Sequence, residues 1–171
     1  MVLNNYKIIV LYDTREKSNS HILSEFDKHN IEYRRVTFKY GDYSFLLKNL
    51  TTGEEIDFRQ IYVIERKSNL EELSQNLGKL RQQFINEIKR SIESGAKMDI
   101  VIENPKWYYD ILTKNYNTQF KPQQFKNSIC AIEAQYDINF LGVDKRVFSS
   151  YIYSKFVYKA KTYLYKQMCY N

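Results

Sequence analysis

The chain has 171 residues, of which 43% are hydrophobic and 27% charged. That balance excludes bulk disorder, and the length suits one domain whose core needs no disulfide or structural metal. Lys plus Arg is 26 and Asp plus Glu is 20, so the net charge is 26 − 20 = +6, which suits a polyanionic partner such as nucleic acid but equally an ordinary basic soluble protein.

Tyr6–Tyr12 (YKIIVLY) is a continuous apolar run of strand length, as expected for a buried central strand. Ser18–His29 is predicted as a helix with Ile22, Leu23 and Phe26 inward, and Glu32–Phe38 as a short strand. Asp42–Leu47 and Ile56–Glu65 flank a turn signal at Asn49–Glu54 and are expected to pair as a hairpin. One long helix is expected from Ser68 to about Gly95. Ser68 and Glu71 have capping-box spacing, and Leu70, Leu73, Leu77, Leu80, Phe84 and Ile88 recur at helical spacing. Met98–Glu103 is the next strand. Pro122 opens a helix through about Tyr136, Ile138–Val143 is a strand, and Asp144 caps a final helix to about Met168. No linker, repeat or low-complexity segment interrupts this order. Helices separated by short apolar strands indicate an α/β sandwich around a mixed sheet.

Three acids stand at strand ends: Asp13 after the first strand, Asp42 before another, and Glu65 closing a third. In open α/β folds, functional groups gather at the carboxyl ends of strands. Positions i and i+2 share a strand face, so Glu65 and Lys67 are expected to face one site while Arg66 points elsewhere. An apolar strand that runs into Glu-x-Lys conflicts with a plain core element, because burying both charges is unfavourable unless they pair or bind an ion. The histidines are His21 and His29, and the cysteines Cys130 and Cys169 lie far apart. No Cys/His set has zinc spacing, so a metal here must be held by oxygen ligands. Carboxylates hold Mg²⁺ or Mn²⁺. Such an ion serves phosphodiester hydrolysis by activating water and offsetting phosphate charge. A lysine beside it stabilises developing negative charge or orients the nucleophile. Asp with Glu-x-Lys on adjacent strands is the PD-(D/E)XK nuclease arrangement. As a bare pattern it is common, and a surface salt bridge explains the same residues.

The wider string is more specific. Asp13-Thr14-Arg15-Glu16, Gly41-Asp42-Tyr43 and Val63-Ile64-Glu65-Arg66-Lys67-Ser68 stand in order. Leu70-Glu71-Glu72-Leu73, Arg81-x-x-Phe84-x-x-Glu87, Ile102-Glu103-Asn104 and Trp107 follow. From about Tyr6 to Leu164 the chain resembles the XPF-type nuclease family of the PD-(D/E)XK superfamily, and most of all its compact bacterial and phage members. The resemblance implies a restriction-endonuclease-like three-layer sandwich, with a mixed central sheet flanked by helices, formed by one domain over residues 1–171. It implies metal ligands at Asp42 and Glu65, with Asp13 as a further acidic residue of the site, and Lys67 as the catalytic lysine. Arg15, Glu16 and Arg66 would complete or brace the site. The family signature reads G-D…E-R-K-x₃-D. Glu71 stands at its last position, which keeps the carboxylate but sets it one methylene further out. Arg81, close to the apolar stripe of the long helix, would reach a phosphate or pair with Glu71 or a site aspartate, an ordinary solvated position being the alternative. Glu103 ends its strand as Glu65 does and is expected to cap the next loop. Trp107-Tyr108-Tyr109 is expected to be core rather than a base-stacking platform. Lys155, Lys159, Lys161 and Lys166 are expected to form a solvated face that also steers DNA.

The function that follows from the resemblance is a Mg²⁺- or Mn²⁺-dependent DNA endonuclease, acting on branched or flap DNA in repair or recombination. Many family members carry a tandem helix–hairpin–helix module. No Gly-x-Gly hairpin pair occurs in the tail, so none is expected, and substrate choice would fall to a homodimer or a partner protein. The alternative is a catalytically inactive nuclease-fold DNA-binding module. Such decay usually removes the acids or the lysine, whereas Asp42, Glu65 and Lys67 are all present. A third reading is an α/β domain with no nucleic-acid role. Gly78-Lys79 lacks the spacing of a P-loop. No run of about 18 apolar residues exists, so no membrane span is expected. The start, MVLNNYKIIVLYD, lacks the features of a signal peptide. A reducing, cytoplasmic home in a bacterium or phage-infected cell is the corresponding expectation.

Overall fold

The structure is a computed structural model that describes residues 3–170. Its elements follow the apolar runs of the sequence in alternation. They are β1 (Tyr6–Asp13), α1 (Ser20–Lys28), β2 (Tyr33–Val36), β3 (Tyr43–Asn49), β4 (Glu55–Asp57) and β5 (Tyr62–Lys67). Then come α2 (Leu70–Leu77), α3 (Arg81–Glu93), β6 (Lys97–Ile102), α4 (Trp107–Thr113), α5 (Pro122–Tyr136), β7 (Asn139–Gly142) and α6 (Phe148–Tyr170). The strands form one mixed sheet in the order β2-β1-β3-β5-β6-β7, with β4 beside β3. β1 and β5 each run antiparallel to β3, while β2 is parallel to β1 and β6 and β7 are parallel to β5. The result is the expected α/β sandwich with helices on both faces.

Side-chain alternation divides the core into two layers. On one face Val63, Met98, Ile100 and Ile102 pack with Leu73, Phe84, Ile88, Phe125 and Ile129 from α2, α3 and α5. On the other, Val10, Phe45, Tyr62, Ile64 and Val101 pack with Ile22 and Phe26 of α1 and Phe148, Ile152 and Phe156 of α6. Successive residues of β5 therefore alternate between the layers. Val63 belongs to the α2/α3 side and Ile64 to the α1/α6 side. The same parity sends Glu65 and Lys67 towards α3 and Arg66 towards α6.

Two expected elements are divided. The stretch Ile56–Glu65 is not one strand. A 3₁₀ turn at Phe58–Gln60 separates β4 from β5, with the Asp57 side chain accepting from Arg59 N. The buried Phe58 ring stacks on Phe45 at 4.0 Å, which holds this bend. The long helix is also two helices, α2 and α3, because the backbone leaves helical geometry at Gly78 (φ −110°, ψ −102°). A Cβ on Gly78 would stand 3.0 Å from Ser74 O and 3.4 Å from the Phe120 ring, a tight fit that glycine relieves. The helical start also lies one residue later than the capping box implies. Asn69 is the cap and accepts from Glu72 N at 2.8 Å, while Glu72 Oε2 accepts from Ser68 N at 2.9 Å and from Ser68 Oγ at 2.7 Å. Among the described residues, no helix is long and apolar enough to cross a membrane.

Candidate active site

β1 and β5 end beside the start of β3, since Tyr12 pairs with Tyr43 and Tyr43 with Ile64. At this edge a polar cavity of about 370 Å³ is lined by Arg15, Glu16, Lys17, Ser18, Asp42, Glu65, Arg66, Lys67, Ser68, Glu72 and Glu87. All six residues of β5 are buried, including the charged Glu65, Arg66 and Lys67. A strand whose last half is charged and buried breaks the rule that built its first half. Such conflicts mark functional sites.

Asp42 reaches the cavity through a glycine turn. Gly41 has φ +73°, and a Cβ there would lie 2.9 Å from Val63 Cβ. Asp42 N donates to Ile64 O at 2.8 Å, and Asp42 Oδ2 accepts from Arg66 N at 2.8 Å. These bonds fix the carboxylate against the end of β5. Burial, reinforced by the charge of Glu65, raises the Asp42 pKa well above the ordinary range.

Glu65 and Lys67 stand side by side, with Lys67 Nζ donating to Glu65 Oε1 at 2.6 Å. The ammonium also lies 3.5 Å from Glu72 Oε1 and 5.2 Å from the centre of the Phe84 ring. Burial opposes its charge, yet the carboxylates of Glu65, Asp42 and Glu72 outweigh burial and raise its pKa. Lys67 is therefore a protonated, pre-placed cation. The other carboxylate oxygen, Glu65 Oε2, is buried with no hydrogen-bond partner among the described residues.

Arg66 turns to the opposite face. Its Nε and one terminal nitrogen donate to the two oxygens of Glu103 at 3.0 and 2.9 Å, and the other terminal nitrogen donates to Glu16 at 3.1 Å. His21 Nε2 lies 2.7 Å from Glu103 Oε1. Glu103 is thus an acceptor in a buried ion network rather than only a loop cap. The network braces the β5 end against the loop after β1. Removing one member of such a buried set would leave the others uncompensated.

The remaining expected residues divide. Asp13 is fully buried but does not line the cavity. Its oxygens accept from Arg15 N at 2.6 Å, Arg15 Nε at 3.0 Å, an Arg15 terminal nitrogen at 2.9 Å and Phe38 N at 2.8 Å. Burial works against its charge, but these donors hold its pKa below the usual value. Asp13 thereby orients Arg15, which does line the cavity. Glu71 points away from the cavity and accepts from Asn117 N at 2.7 Å. The Arg81 side chain, at the start of α3, forms no hydrogen bond or ion pair among the described residues and does not line the cavity.

Two acids join the site that the motif left out. Glu72 touches Lys67 as described. Glu87, one α3 turn beyond Phe84, accepts from Gly41 N at 3.2 Å, and burial together with the charge of Glu65 pushes its pKa up to about 7. The signal was present in Arg81-x-x-Phe84-x-x-Glu87: residues three apart share a helix face, so Glu87 follows Phe84 towards the sheet.

The donor set can be weighed for a cation. Among the described residues, no three His, Cys, Asp or Glu side chains converge at ligating distance. Asp42 and Glu65 provide two carboxylates, and Glu65 Oε2 is a buried oxygen lacking a donor. An unpaired buried carboxylate oxygen is costly. A hard divalent cation that keeps most of its waters and uses one or two carboxylates fits this pair.

Mixed sheet, two helical layers and a carboxylate–lysine cavity at the strand ends define a restriction-endonuclease-like α/β protein. Residues 12–155 match the model of the ERCC4 domain. The chain belongs to the ERCC4 domain family. Among solved structures it is similar in fold to XPF from Aeropyrum pernix, with a TM-score of 0.63 and 16% identity over 88% of this chain and 61% of that one. It is similar also to XPF from Aeropyrum pernix in complex with DNA, with a TM-score of 0.64 and 16% identity over 91% of this chain and 66% of that one. The chain thus spans less than two thirds of either neighbour. No curated protein matches the sequence.

Proposed function

We propose that the protein is a divalent-cation-dependent DNA endonuclease that cleaves branched or flap DNA during repair or recombination. The observation that carries this reading is the meeting of Asp42, Glu65 and Lys67 in one cavity, with Glu65 Oε2 buried and unpartnered. Family membership and a fold shared with XPF from Aeropyrum pernix in complex with DNA support it.

Asp42 and Glu65 would hold Mg²⁺ or Mn²⁺. A cation there supplies Lewis acidity that offsets phosphodiester charge and acidifies water. The protein's own residues do the rest. Lys67, kept protonated by its three acidic neighbours, stabilises the negative charge that grows on the phosphate. Arg15, held by Asp13, presents a guanidinium at the cavity mouth to a neighbouring phosphate. Arg66 keeps the β5 end in place through Glu16 and Glu103. Selection among branched DNAs is assigned to a second copy of the chain or a partner protein.

The test is incubation with duplex, single-stranded, flap, fork and four-way DNA, with Mg²⁺, with Mn²⁺ and with a chelator. Cation-dependent internal cuts, strongest on branched forms, are expected. Salt-sensitive DNA retention without cutting would replace this reading with that of an inactive DNA-binding module.

A further inference from the structure

The family signature places its last acid at position 71, four residues after the lysine. In this chain the acid that reaches the lysine is the next one. Glu72 Oε1 lies 3.5 Å from Lys67 Nζ, whereas Glu71 Oε1 accepts from Asn117 N at 2.7 Å and does not line the cavity. The cause is the start of α2. Asn69 takes the cap position and receives Glu72 N, so Glu72 becomes the residue that turns back over the β5 end. Its other oxygen accepts from both Ser68 N and Ser68 Oγ. Ser68 follows Lys67 directly, so one carboxylate grips the backbone after the lysine and the lysine ammonium together.

Resting on the nuclease reading above, we propose that Glu72 is the positioning residue for Lys67, taking over the place the signature gives to position 71. Glu65 holds the ammonium through Oε1 alone, and a cation drawn to Oε2 would compete with the lysine for the charge of that one carboxylate. Glu72 supplies a second acidic contact from α2. It holds Lys67 Nζ within the cavity when Glu65 turns its charge to another ligand. Glu71 acts elsewhere, tying the start of α2 to the loop before α5.

The experiment compares Glu72→Gln with Glu71→Gln in the full chain. Gln at 72 keeps an oxygen for Ser68 N but removes the charge that faces Lys67. Single-turnover cleavage by Glu72→Gln is expected to fall about 10-fold in kcat with KM little changed, the lower end of what loss of a supporting partner costs. Glu71→Gln should keep the wild-type rate. The ¹⁵N signal of Lys67 Nζ, followed by NMR without DNA, should move in Glu72→Gln and stay in Glu71→Gln. A purely structural cap would lower the unfolding temperature of Glu72→Gln while leaving kcat and the Nζ signal unchanged, and that result overturns the proposal. Loss of activity in Glu71→Gln with Glu72→Gln unaffected overturns it as well. Wild-type protein that cuts no DNA would remove the nuclease reading itself, yet the Nζ signal would still decide whether Glu72 holds Lys67.

Discussion

Lys67 Nζ lies 2.6 Å from Glu65 Oε1, while Oε2 of the same carboxylate is buried without a partner. One oxygen neutralises the lysine, and the other has no donor among the described residues. On the proposed reading the pair is both a salt bridge and half of a cation site. This dual use sets most of the expected behaviour of the variants.

Lys67→Ala should lower kcat by roughly 10²–10³, equivalent to about 2.7–4 kcal/mol, as loss of one pre-placed charge-stabilising group does. KM should change little, because the charge acts on the transition state more than on bound substrate. Lys67→Arg should not restore the rate, since a planar fork cannot replace a compact ammonium beside Phe84. Single-turnover rates on the best-cut DNA decide this. A Lys67→Ala rate close to wild type would reduce the lysine to a structural ion-pair partner of Glu65.

Asp42→Asn should abolish cleavage yet raise the unfolding temperature of the cation-free protein. The ionised Asp42 is disfavoured by burial and by Glu65, so a neutral side chain of the same shape relieves that repulsion. The bond from Arg66 N survives, because Asn also offers an acceptor. Calorimetric unfolding in chelator measures the effect, and a lower transition temperature would contradict it.

Gly41→Ala should cost about 1–3 kcal/mol from its positive φ alone, with added strain from the 2.9 Å approach to Val63 Cβ. Relief of that approach would shift Asp42 relative to Glu65, so cation affinity should weaken along with stability. Urea unfolding and Mn²⁺ titration test both parts. An Ala variant with wild-type affinity would separate the turn from the site.

Glu87 gives the cation-free protein a pH dependence. Its pKa in the folded chain is about 7, above the ordinary 4.5. Between these values the folded protein keeps a proton that the unfolded chain has released. Stability should therefore fall as pH rises from about 4.5 to 7 and level off above. Glu87→Gln removes this contribution. The unfolding temperature of wild type minus that of Glu87→Gln should decline across the window, and a constant difference would contradict the assignment.

Much of this was legible in the sequence because two periods carry it. Continuous apolar runs gave the buried strands, and the two-residue repeat separated Glu65 and Lys67 from Arg66. What escaped depends on close approach between distant segments. α2 and α3 part at Gly78, where the Phe120 ring comes close, and an approach by Phe120 is not visible from spacing at 70–90. Asn69 rather than Ser68 caps α2, a shift of one residue that exchanges Glu71 for Glu72 at the lysine. Asp13 ends a strand as Asp and Glu do in the motif, but Arg15 and Phe38 N use its oxygens. Glu87 needed the placement of α3 against the Gly41 turn, which a sequence pattern sets only loosely.

The central claim is that Asp42 and Glu65 hold a cation beside Lys67 and that this assembly cuts DNA. Single-turnover cleavage of the best-cut branched DNA by wild type and Glu65→Gln, across a Mg²⁺ titration, addresses it most directly. Wild-type cleavage should be absent in chelator and rise to saturation with Mg²⁺, while Glu65→Gln, folded by circular dichroism, should stay inactive throughout. Cleavage by wild type in chelator, or wild-type rates in Glu65→Gln, would contradict it.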